Sequence, residues 1–113
     1  MPYYTETEGK SLRELFEAQV LSWPKVTMRW MFGCPAYLVD GKLFAFLLSQ
    51  GVVITQIRKR DREAFAGLYE TEPFKAGERE IERWLQVNLG DDRTYFDRVM
   101  ALVRKSYDTI LNY

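Results

Sequence analysis

Apolar and polar positions follow two rhythms along this chain. Leu12, Leu15, Phe16 and Gln19/Val20 recur at helical spacing, and Ser11 with Glu14 has the form of a capping box, so a first helix is predicted to open at Ser11. It should close near Trp23, because Pro24 disfavours helical geometry in the residue before it. The stretches 26–31, 36–39, 43–48 and 52–57 then read as strands. Asp40-Gly41 between the second and third is a two-residue hairpin signal, since a type I′ turn needs positive φ at both central positions. Gln50-Gly51 supplies the next turn, which makes these strands a meander.

Helical spacing returns from Asp61 to Tyr69, with Ala64, Phe65, Leu68 and Tyr69 as the inner face. Pro73-Phe74 leads into a turn-like stretch. Beyond it, Leu85, Val87 and Leu89 alternate with Trp84, Gln86 and Asn88, as on a strand. The last helix is expected to be capped by Asp91 or Asp92 and to carry a stripe of Phe96, Val99, Met100, Val103, Tyr107 and Ile110. Residues 1–10 read as a flexible lead-in. The predicted order is α-β-β-β-β-α-β(β)-α. Hairpin turns make the sheet antiparallel and three amphipathic helices must cover it, which is an α+β, two-layer fold built as one domain over residues 1–113.

Composition narrows the classes. The chain has 113 residues, and seven Phe, seven Tyr and three Trp can bury enough apolar surface to exclude disorder. Sixteen basic residues balance sixteen acidic ones, so no broad basic field exists to hold phosphate backbones or anionic lipid. The start, "MPYYTETEGK", is acidic where a signal peptide would be basic and then apolar, and the apolar run at 43–48 is far too short to span a bilayer. One cysteine permits no intrachain disulfide. The expected location is the cytoplasm.

The stretch "MRWMFGCPAYLVDGKLFAFL" resembles the signature of the TfoX N-terminal domain family: an Arg-x-Met-Phe-Gly lead-in, a Tyr-Val-Asp-Gly-Lys hairpin and a Phe-Ala strand. Arg29, Met31, Phe32, Gly33, Val39, Asp40, Gly41, Lys42, Phe44 and Ala45 fall on that pattern, and the similarity covers roughly residues 26 to 90. The terminal "VRKSYDTI" is similar to the last helix of YjbR/MmcQ-like proteins. The resemblance implies a secretion-chaperone-like, YjbR-like fold and a regulatory role; it brings no catalytic residues. Cys34-Pro35-Ala36 replaces the family's Gly-Tyr-Gly, and Thr55-Gln56 its Leu-Lys.

Candidate chemistry is sparse. A nucleophilic Cys34 would need a base or cation beside it, and the chain has no histidine, so Cys34 is read as a small packed residue. With no His and one Cys only oxygen ligands remain for a metal, and Asp91, Asp92 and Asp97 lack calcium-loop spacing. No catalytic residue, cofactor or metal is therefore expected. Arg58, Lys59, Arg60 and Arg62 surround one Asp and form a candidate nucleic-acid contact. Most aromatics sit at inward-facing positions. Trp30, Tyr37, Trp84 and Tyr95 do not fall clearly inward, and Trp30, Tyr37 and Trp84 form a candidate interaction surface if they share an exposed sheet face. These residues point to a non-enzymatic domain acting by protein interaction or self-association, with DNA binding through Arg58–Arg62 as the rival.

Overall fold

A computed structural model describes residues 3–90 and 93–112. Along them run α1 (Glu6–Val20), β1 (Val26–Met31), β2 (Cys34–Val39), β3 (Lys42–Leu48), β4 (Gly51–Ile54), α2 (Lys59–Ala66), β5 (Thr71–Ala76), β6 (Arg79–Asn88) and α3 (Phe96–Leu111). The six strands form one antiparallel sheet in the order β1-β2-β3-β4-β6-β5, so the fold is α+β with the expected succession of elements. No helix among the described residues is long and apolar enough to cross a membrane.

The residues predicted as a flexible lead-in are largely built into the fold. Thr5, not Ser11, is the N-cap of α1, and its hydroxyl accepts from the Glu8 backbone N–H. Tyr3 and Ser49 are joined backbone to backbone, and the Ser49 hydroxyl accepts from the Thr5 N–H. The helix ends at Val20, three residues short of Trp23. Helix α2 also begins and ends early: Arg58 is its extended N-cap and Gly67 its C-cap, which leaves Ala64 and Leu68 exposed and Phe65 as its only buried residue. Asp91 and Asp92, the expected caps of α3, lie outside the described residues; Tyr95 occupies the N-cap position.

Both two-residue turns flanking β2 use positive φ. Asp40 and Gly41 (51° and 77°) close β2–β3 as predicted. Phe32 and Gly33 (56° and 75°) close β1–β2, so Cys34 and Pro35 belong to a strand rather than a loop. Proline is tolerated there because the β2–β3 pairing begins at Ala36, and no partner requires an N–H from Pro35.

Cross-strand register separates the two sides of the sheet. Tyr37, Ala45, Ile54 and Leu85 are aligned on one side; Ala36, Phe46, Val53 and Gln86 on the other. A bulge in β3 sets both Phe44 and Ala45 against Tyr37. The helices cover this side: Phe16 of α1 packs on Tyr37 and Tyr107 of α3 on Phe44. The opposite side is closed by Phe74 and Trp84, edge-on to Phe46, where a register shift bends β5–β6. Strand β4 ends at Ile54 because Thr55 donates its hydroxyl to the Leu43 carbonyl and the Gln56 N–H is taken by Ser106 of α3.

Candidate interaction surface

Among the described residues, strand β1 is an edge of the sheet, paired only with β2. Its pairing begins at the two-residue turn, so Met31, Arg29 and Thr27 exchange ladder bonds with Cys34, Ala36 and Leu38. The backbone N–H and C=O groups of Val26, Met28 and Trp30 consequently point away from the sheet. The other edge, β5, carries Glu72, Pro73 and Lys75, which blunt further pairing. β1 carries one charge in six residues, Arg29.

Two large aromatics stand on this open edge. Trp30 is 53% exposed and Phe32, at the turn, 70% exposed. Trp30 is held despite its exposure. The Arg13 guanidinium lies over its ring at 5.0 Å, and the Tyr4 ring is 6.0 Å away. Arg13 is fixed in turn, donating to Glu17 at 2.9 Å and to Glu6 at 3.2 Å. Tyr4 donates to Glu6 and Tyr37 to Glu17, both at 2.6 Å. The carboxylates hold Arg13 protonated, principally through the Glu17 hydrogen bond. Burial, seconded by the Glu6 bond, pushes the Tyr4 hydroxyl up to about 12. Burial, then Glu17, raises Tyr37 as well. The Tyr4 hydrogen bond in turn lowers Glu6. This chain of side chains is one rigid bracket under the indole.

The three aromatics expected on one surface do not share one. Tyr37 is fully buried under α1, because β2 is covered on both sides. Trp84 lies half-buried against Phe46, on the side of the sheet opposite Trp30. Trp30 alone remains, joined by Phe32, which the sequence motif placed without indicating its exposure. The other motif residues are structural: Asp40-Gly41 and Phe32-Gly33 are turns, Phe44 fills the bulge, Met31 is half-buried, and Arg29 and Lys42 are exposed.

The basic cluster divides. Arg62 reaches toward the Ile57 carbonyl and lines a cavity with Glu63, Glu72 and Glu82; Lys59 is 3.8 Å from Glu63. Arg58 and Arg60 turn the other way, into a cleft of about 250 Å³ at the end of α3. Lys105 joins them there, as chain distance alone could not show, but so do Asp61 and Asp108, and Lys105 is 3.4 Å from Asp61.

Cys34 is fully buried beside the turn, its thiol directed to the Phe32 carbonyl at 3.8 Å. Burial pushes its pKa up to about 11, so at neutral pH it is a thiol that packs. No family model, no curated protein and no solved structure matches this chain.

Proposed function

We propose that this chain is a small non-enzymatic binding domain that acts by protein interaction or self-association through the β1 edge, in the cytoplasm. The observation that carries the reading is a preorganised indole and an exposed phenyl beside a strand whose outward backbone groups have no strand partner among the described residues. Half-exposed aromatics held in place lose little entropy on binding and are the residue type that dominates interface energy. Unpaired strand edges capture an added strand through main-chain hydrogen bonds. Regulation is the context implied by the likeness of "RWMFG" and "YLVDGK" to the TfoX N-terminal domain family.

The test is association measured by mass in solution. Trp30→Asp with Phe32→Asp should abolish it, whereas Arg58→Glu with Arg60→Glu should leave it intact. Association that survives the first pair and is lost with the second refutes the reading.

A second reading has one observation in its favour: Lys105 lies in the same cleft as Arg58 and Arg60, which would suit a phosphate of DNA. Binding to mixed-sequence duplex at low salt, weakening steeply as salt rises and lost in Arg58→Glu, would support it. Asp61 and Asp108 in that cleft oppose it.

A further inference from the structure

Taking the β1 edge as the binding surface, we infer that its partner is a second copy of this chain, paired antiparallel through β1 about a two-fold axis at Met28. The strand's own residues single out this register. Only Val26, Met28 and Trp30 present outward backbone groups. With the axis at Met28, Met28 meets its copy and Trp30 meets Val26 of the partner, so all three find hydrogen-bonding mates. With the axis at Thr27, Trp30 would fall opposite Pro24, which has no N–H. With the axis at Arg29, the two guanidinium side chains would sit directly opposed at the closest cross-strand spacing. With the axis at Trp30, Met28 would face Phe32, whose positive φ takes it out of the strand.

Side chains and charge agree with the Met28 axis. Val26, Met28 and Trp30 share one side of the strand, so the seam there is apolar: Met28 on Met28 and Trp30 on Val26. On the other side Arg29 falls opposite Thr27, and no like charges meet. The chain's formal net charge is zero, so two copies approach without net repulsion. The result is a continuous twelve-stranded sheet across the axis, twice the six strands of one chain.

Proline at position 28 tests this without touching the internal ladder. Its missing N–H is one that the monomer leaves outward, whereas Met28→Ala keeps the N–H and removes only the side chain. Sedimentation equilibrium should show the mass of the native chain rising from 13.4 kDa toward twice that value with concentration. Met28→Pro should remain at 13.4 kDa with a native circular dichroism spectrum, and Met28→Ala should still dimerise. Trp30→Ala should weaken the dimer by about thirtyfold. A native chain that stays monomeric at every concentration overturns the second copy as partner, yet leaves the edge free to bind another protein. A dimer unaffected by Met28→Pro but lost in Trp30→Asp with Phe32→Asp overturns the strand pairing and keeps the surface. A dimer indifferent to all of these overturns both.

Discussion

Gly9 sits inside α1, where glycine costs about 1 kcal/mol relative to alanine. The Tyr4 ring accounts for it: a Cβ at position 9 would lie 2.2 Å from Tyr4 Cε2. Gly9→Ala should therefore lower stability by about 1–3 kcal/mol in urea unfolding despite its better helix propensity. It should also loosen Trp30, which Tyr4 flanks. Phe32 presents the opposite case. A bulky residue in the left-handed region costs roughly 1–2 kcal/mol, and here its ring lies exposed. Phe32→Asn should raise the unfolding midpoint while weakening association; a loss of stability would show that the ring serves the fold instead. The chain announced the Asp40-Gly41 turn by composition alone, but Phe-Gly is not a favoured turn pair, so the second hairpin was hidden. The helix start was hidden differently. Thr5 with Glu8 has the same capping form as Ser11 with Glu14, but the apolar spacing that marks the helix begins only at Leu12.

Among the elements, the strands of the meander were legible from their apolar runs and the turn residues between them, and α3 because it keeps one period over its length. Helix α2 was legible as an element, but its bounds and inner face were not, since its eight residues bury only Phe65 and Gly67 cuts off the apolar residues at 68 and 69. The bend of β5–β6 was not legible either: three residues of β6 have no opposite number between the Leu85 and Ile81 pairs, and alternation cannot reveal that. Helix α3 is pinned by one buried polar residue. Ser106 donates to the Phe44 carbonyl at 2.7 Å, at the bulge, and accepts from the Gln56 N–H at 3.0 Å, where β4 leaves the sheet. Ser106→Ala leaves two backbone groups without that partner and should cost about 1–3 kcal/mol by denaturant titration. An unchanged midpoint would show that those groups find another partner.

For the whole molecule, the candidate site was half legible. Trp30 was identifiable because its strand alternation set it apart, but Tyr37 and Trp84 could be placed only by knowing what covers each side of the sheet. The same burial governs the response to alkali. Cys34 is raised from about 9 to about 11 and Tyr4 from about 10 to about 12, with Tyr37 raised too. Each group holds its proton more tightly when folded, so the unfolded chain releases it first as pH rises. Their contribution is complete below about pH 9 and is lost progressively from there toward 12. Tyr37→Phe should lower stability at neutral pH, by removing the hydrogen bond to Glu17, and flatten the alkaline decline; an unaltered slope would contradict this. The central claim, that β1 is a binding edge, is tested most directly by residue-resolved amide exchange as the chain is concentrated. Protection should increase at Val26, Met28 and Trp30 while Thr27, Arg29 and Met31, already bonded to β2, stay as they are. Exchange at those three outward amides that remains fast while the mass doubles would contradict it.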